Sequence, residues 1–116
     1  MNLFICYDRC STCQKAKKWL DEQGVEYSTR PIKEQNPSKE ELVQWCQTSG
    51  QPRKKFVNTS GQLYREKNLK DVLPALSDEE FFALLAQDGM LVKRPIFITE
   101  KGIATGFKAD EWQKLI

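Results

Sequence analysis

The sequence predicts a small α/β domain whose helices layer onto a mixed four-stranded sheet. Three observations carry that prediction. A strand, a helix and a second strand follow one another between Leu3 and Ile32. A β-hairpin and a short helix close the chain. Between these lies a stretch whose apolar residues recur at helical spacing. The 116 residues, 40% of them hydrophobic, suit one compact domain over 1–116 with its own core.

The elements follow in order. Leu3–Cys6 is short and apolar, as a buried strand should be. Tyr7-Asp8-Arg9-Cys10 is a loop, and Ser11 to Gln23 a helix with Ser11 and Gln14 as a capping box. Ala16, Trp19 and Leu20 form its apolar stripe, and Gly24 is its stop. Val25–Ile32 is a second strand, with Pro31 ending its pairing. A strand–helix–strand unit this short makes the first two strands parallel. Ser38 with Glu41 caps a helix carrying Leu42, Trp45 and Cys46, which Gly50 closes. Residues 51–66 read as loop and turn, with Asn58–Gly61 at the tip. Leu69, Val72 and Leu73 mark a short helix stopped by Pro74, and Ser77 with Glu80 caps another that carries Phe81, Leu84 and Leu85. Ile96–Thr99 and Ile103–Phe107 form the hairpin around Glu100-Lys101-Gly102. Ala109–Ile116 is the last helix, with Trp112 and Ile116 inward.

Composition excludes several functions. The chain has no histidine, so Ser-His-Asp and Cys-His catalysis and Cys/His zinc sites are ruled out. No apolar run approaches the ~18 residues of a membrane span, so no membrane association is expected. The first residues read as a strand and not as a signal peptide, which makes the cytoplasm the expected compartment. The net charge of +2, from 18 basic and 16 acidic side chains, gives no ground for direct nucleic-acid binding. Lys15, Lys17 and Lys18, and again Arg53, Lys54 and Lys55, read as solvated faces.

The chemistry lies in Cys10-Ser11-Thr12-Cys13. Cytosolic thiols are kept reduced, so a close pair there is catalytic, redox-sensing or metal-binding rather than a staple. This pair sits where a strand and loop enter a helix, beside unpaired N–H groups and the positive end of the dipole. A thiolate there is stabilised, which makes Cys10 the nucleophile candidate and Cys13, further inside the first turn, the resolving candidate. Arg9 adjoins Cys10 as a candidate substrate-binding cation. The alternatives are half a zinc site and two inert thiols. Zinc requires four ligands, and Cys6 and Cys46 form no second C-x-x-C, so neither metal nor cofactor is expected. Cys6 and Cys46 themselves read as core residues. Lys93-Arg94-Pro95-Ile96 is the second informative segment. Pro95 before a strand fits an edge position or a cis peptide, and a cis form would hold backbone close to the dithiol for an incoming chain. Arg94 would then bring positive charge to the thiolate or to an oxyanion; its alternative is a surface salt bridge.

Taken in order, Cys10–Ala16, Lys33–Leu42, Lys55–Gly61, Asp88–Pro95 and Gly106-Phe107 resemble the arsenate reductase/Spx family over nearly the whole chain. The resemblance implies a thioredoxin-like fold with a helical insertion at about residues 36–90. It implies that Cys10 is the nucleophilic position and that Pro95 is the cis proline facing it. Three functions follow from it. One is a thiol–disulfide oxidoreductase using Cys10, Cys13 and Arg94, with thioredoxin, glutaredoxin or glutathione as reductant. Another is an Spx-like redox-sensing regulator that binds the RNA polymerase α subunit. The last is a glutaredoxin- or thioredoxin-coupled arsenate reductase. Arsenate-reducing members gather further arginines and usually lack the second cysteine, whereas this chain has Asn58-Thr59 and Gly106-Phe107-Lys108 in the corresponding segments.

Overall fold

A computed structural model describes residues 2–116. Its elements run β1 (Leu3–Cys6), α1 (Ser11–Glu22), β2 (Ser28–Pro31), α2 (Lys39–Ser49), α3 (Gln62–Glu66), α4 (Leu69–Val72), α5 (Asp78–Leu85), β3 (Ile96–Thr99), β4 (Gly102–Thr105) and α6 (Ala109–Gln113). The chain divides into two compact units, one of residues up to Ile32 with Arg94–Ile116, the other of Lys33–Lys93.

The first unit holds the sheet, in the order β2-β1-β3-β4. β1 pairs parallel with β2 and antiparallel with β3, and β3 pairs antiparallel with β4. This mixed four-stranded sheet with its β1–α1–β2 and β3–β4–α6 halves is a thioredoxin-like fold. Alternation along the strands puts Phe4 and Phe97, which are cross-strand partners, on one face. There they meet Cys13, Ala16 and Leu20 of α1 and Trp112 of α6 in one buried cluster. The spacing of 13, 16 and 20 is a single helical stripe, which is why α1 lies along this face. Trp112 is the centre of the cluster. Its ring stacks on Phe97 at 4.6 Å between centroids and meets the edges of Phe107 at 5.0 Å and Phe4 at 6.1 Å. Its indole N–H donates to the Gly106 carbonyl at 2.9 Å, so the one polar atom it buries is satisfied.

Several boundaries differ from expectation. β2 begins at Ser28 rather than Val25, because Gly24 takes φ +68° and the Val25 N–H turns back to the Leu20 carbonyl, spending those residues on leaving α1. β4 ends at Thr105 because Gly106, at φ +73°, sends its N–H to the Pro95 carbonyl. The Ser11–Gln14 capping box does not form. α1 starts one residue earlier than that box requires, with Cys10 at the N-cap, and the Gln14 amide donates to the Asp8 carbonyl instead. The last helix stops at Gln113, and Ile116 packs on the core only in part.

The second unit is helical. The capping boxes of Ser38 with Glu41 and Ser77 with Glu80 are both closed in both directions. The stretch 51–66, expected as loop, contains a 3-10 turn at Arg53–Phe56 and α3. Arg53 is not part of a solvated face: it pairs with Asp78 at 2.7 Å and lies 4.4 Å over the Phe81 ring. Of the residues that mark the short helix, Leu69 and Leu73 are buried and Val72 is 39% exposed, because α4 is a single turn. Val57 bridges Val92, and the Asn58 side chain donates to the Met90 carbonyl, tying the loop to the end of the unit. Among the described residues no helix is long and apolar enough to cross a membrane.

Trp112→Ala removes the centre of the aromatic cluster and leaves a cavity. It is expected to cost about 3–5 kcal/mol, read as the shift in urea unfolding followed by far-ultraviolet circular dichroism. A loss below about 1 kcal/mol would show that α6 is not integral to this core.

Candidate dithiol site

β1 ends at Cys6, and the Cys10 N–H closes the following turn on the Tyr7 carbonyl at 3.0 Å. Cys10 keeps extended dihedrals, φ −86° and ψ 121°, and so stands at the N-cap of α1. An oxygen-bearing side chain usually fills this position and accepts the N–H groups of the second and third helical residues. Here the side chain is a thiol, which closes no cap bond while neutral. Ionisation changes that balance. Burial pushes the Cys10 thiol up, but the N–H and thiol of Cys13, the N–H of Thr12 and the Arg94 guanidinium all favour the anion. Their sum holds Cys10 below the ordinary cysteine value.

Cys13 behaves in the opposite way. As the third residue of α1 it falls on the buried stripe, with 3% of its surface exposed. Burial pushes it up to about 12. The Tyr7 N–H that donates to its sulfur at 3.4 Å offsets this only in part, and the neighbouring charge of Cys10 adds to the rise. One helical turn therefore presents a half-exposed thiol that ionises early and a buried one that stays protonated. Both are free thiols, as are Cys6 and Cys46.

Arg94 and Pro95 enter from the start of β3. The Arg94–Pro95 peptide is cis, and Pro95 is buried with its carbonyl taken by the Gly106 N–H at 2.8 Å. The Arg94 guanidinium acts on the Cys10 sulfur and lies 5.0 Å from the centroid of the Tyr7 ring. Its Nε and Nη1 are buried without a hydrogen-bond partner. It is therefore not the surface ion pair that was the alternative reading. Arg9 is exposed on the turn before Cys10 and is not among the groups acting on that sulfur.

The fold thus brings Cys10, Cys13 and Arg94 together, with Arg9 exposed on the turn that precedes Cys10. Cys6 and Cys46, expected in the core, are half-buried. Cys6 packs at the edge of the aromatic cluster, and burial, then Asp8, raises its thiol. The Cys46 thiol donates to the Gln51 carbonyl at 3.4 Å, and burial, then Asp78, raises it. Tyr7, read only as loop, is the residue the sequence reading passed over. Its backbone touches both cysteines and its ring touches Arg94, and nothing in its local sequence signals the second of these. Among the described residues, no group of three or more Cys, Asp or Glu side chains is placed to hold a metal ion.

Comparison with known proteins gives this geometry a family. The ArsC family pattern matches residues 6–115. The uncharacterised protein YusI of Bacillus subtilis (strain 168) is 50% identical over 111 residues, covering 96% of this chain and 94% of its own. The global transcriptional regulator Spx 2 of Bacillus anthracis is 26% identical over 107 residues, covering 92% of this chain and 80% of its own. Among solved structures, an ArsC family related protein from Bacteroides fragilis superposes with a TM-score of 0.96 at 53% identity, covering 99% of this chain and 97% of the other. A protein described as a possible arsenate reductase, from Streptococcus mutans UA159, superposes with a TM-score of 0.88 at 41% identity, covering 97% and 98%. With a match across almost its whole length, a thioredoxin-like sheet and a thiol at the head of its first helix, this chain belongs to the ArsC family.

Proposed function

We propose that this chain is a cytoplasmic thiol–disulfide oxidoreductase that cycles between a Cys10–Cys13 dithiol and a disulfide. The observation that carries the reading is the placement of two thiols in one helical turn in opposite surroundings, Cys10 half-exposed at the N-cap, where its thiol is held low, and Cys13 buried on the inner stripe, where its thiol is held high.

The steps follow from that difference. The Cys10 thiolate attacks one sulfur of a substrate disulfide. The substrate S–S bond breaks and one substrate sulfur leaves as a thiolate. The Cys10 charge is consumed in the mixed disulfide, so the part of the rise at Cys13 that Cys10 causes is removed with it. Cys13 then loses its proton to the departing sulfur, attacks the Cys10 sulfur and expels the second substrate thiol. Two electrons have passed to the substrate. Thioredoxin, glutaredoxin or glutathione returns them to the Cys10–Cys13 disulfide.

Two other readings have their own support. Unpartnered donors of Arg94 beside Cys10 suit an oxyanion, and hence arsenate reduction coupled to glutaredoxin or thioredoxin. Arsenate-dependent turnover in that coupled assay would favour this reading over a disulfide substrate. The likeness to Spx 2 supports a redox-sensing regulator. A single redox state that alone captures the carboxy-terminal domain of the polymerase α chain would favour that one.

Mild diamide oxidation followed by mass spectrometry is expected to find a Cys10–Cys13 bond. In Cys13→Ala, glutathione should remain on Cys10 as a mixed disulfide. Equilibration against glutathione should place the potential in the range of roughly −120 to −270 mV where working dithiols lie, and not below about −300 mV. Failure to form the bond at any poise would end the proposal.

The pH dependence has a definite sign. A thiol held low is a thiolate from a lower pH upward, so iodoacetamide alkylation of Cys10 should level off at a lower pH than that of a free cysteine. Cys13 should stay unmodified in the folded chain across the same range. Arg94→Ala removes a group that favours the anion. It should move the Cys10 midpoint up and slow alkylation at neutral pH several-fold. An unchanged profile would remove Arg94 from the site.

A further inference from the structure

We infer that Tyr7 is the positioning residue of this site: its ring face holds the Arg94 guanidinium against the Cys10 sulfur. The inference deepens the dithiol reading and rests on it.

Arg94 presents a physical problem that its surroundings must solve. Its Nε and Nη1 are buried and unpartnered, and it makes no ion pair among the described residues. With those two donors unpaired, hydrogen bonds alone do not fix the orientation of its rigid fork. The face of the Tyr7 ring, 5.0 Å from the guanidinium carbon, supplies the missing partner. An aromatic face attracts a cation through its quadrupole without competing for the N–H groups, which leaves the donors free to act on the sulfur.

The backbone that carries the ring is held by the cysteines themselves. The Tyr7 carbonyl takes the Cys10 N–H at 3.0 Å, and the Tyr7 N–H donates to the Cys13 sulfur at 3.4 Å. Both ends of its backbone are tied to the dithiol, so the position of the ring is referred to Cys10 and not to the flank of the sheet. The other groups that bear on the three clustered thiols are Asp8 and Lys17, acting on Cys6, and the thiols on one another. Arg94 is the only cation among the groups acting on Cys10. The Tyr7 hydroxyl makes no hydrogen bond among the described residues, so its function resides in the ring.

This separates side chain from backbone. Tyr7→Leu keeps both backbone bonds and most of the bulk but loses the aromatic face. Tyr7→Phe keeps the face. Alkylation of Cys10 in the reduced full chain is followed against pH by peptide mass spectrometry; cleavage after Arg9 and Lys15 isolates Cys10 and Cys13 from Cys6. Tyr7→Leu should shift the Cys10 midpoint up and slow alkylation at neutral pH about two- to tenfold, the range expected for one cation–π contact. Tyr7→Phe should match the wild type. In the double variant of Tyr7→Leu with Arg94→Ala, the effect should be no larger than that of Arg94→Ala alone, because Tyr7 acts through the guanidinium. A wild-type profile for Tyr7→Leu, a leucine-like profile for Tyr7→Phe, or additivity in the double variant would each overturn the inference. Should Tyr7→Leu fail to fold, phenylalanines of increasing fluorination at position 7 keep the shape and drain the ring face. A graded slowing across that series supports the inference, and a flat series overturns it. The profile is read without any disulfide. A chain that shows the Tyr7 effect but never forms the Cys10–Cys13 bond would keep this placement and sink the oxidoreductase reading.

Discussion

A helix begins with N–H groups that have no carbonyl to bond, and at the head of α1 the side chain in the capping position carries sulfur in place of oxygen. The rest of the site depends on that substitution. A neutral thiol is a poor acceptor and leaves the cap open, whereas a thiolate is a good one, so the helix start itself favours ionisation. The same geometry decides the partner. With Cys10 as the cap, Cys13 is the third helical residue, and the stripe that continues through Ala16 and Leu20 turns it into the core. One register thus makes the first thiol acidic and the second one reluctant.

The register is held from the far end of the chain. Trp112 fixes α6 to Phe4 and Phe97 on the inner face of the sheet, and its indole N–H is bound to the Gly106 carbonyl. Gly106 in turn sends its N–H to the Pro95 carbonyl. A short line of hydrogen bonds therefore runs from the aromatic core through Gly106 to the segment that delivers Arg94. The left-handed conformation of Gly106 is what lets the chain leave β4 and make both bonds. Packing in the core and charge at the sulfur are linked through this one residue.

Local features of this arrangement are legible in the sequence, and features assembled from distant segments are not. The strands Leu3–Cys6 and Ile96–Thr99 are visible because each is a short apolar run bounded by turn residues. The dithiol at a helix start is visible because strand, loop and helix follow within a dozen residues. The capping boxes at Ser38 and Ser77 close as their spacing predicts, while the matching pattern at Ser11 fails because the helix begins at that serine and leaves the cap to Cys10. α3 escapes detection because five residues are too few for a periodic signal. Arg53 looks like one of three surface cations until Asp78 and Phe81, more than twenty residues later, fold against it. The meeting of Arg94 with Tyr7 is of the same kind: both residues are conspicuous, but only the sheet order brings β3 beside β1 and sets one over the other.

The contacts at Cys10 also bear on the direction in which the proposed cycle runs. The N–H groups of Cys13 and Thr12 and the guanidinium of Arg94 stabilise an anion. That anion exists in the reduced dithiol and is absent from the disulfide. Each contact that lowers the Cys10 thiol therefore stabilises the reduced form relative to the oxidised one, which makes the disulfide a stronger oxidant. For Arg94 this is the same contact seen from the cation's side: in the disulfide form its donors face a sulfur that carries no charge. Acidity of the nucleophile and oxidising strength of the disulfide are thus one property seen in two states, and a residue that positions Arg94 bears on both through the guanidinium, beside the larger contribution of the helix N–H groups.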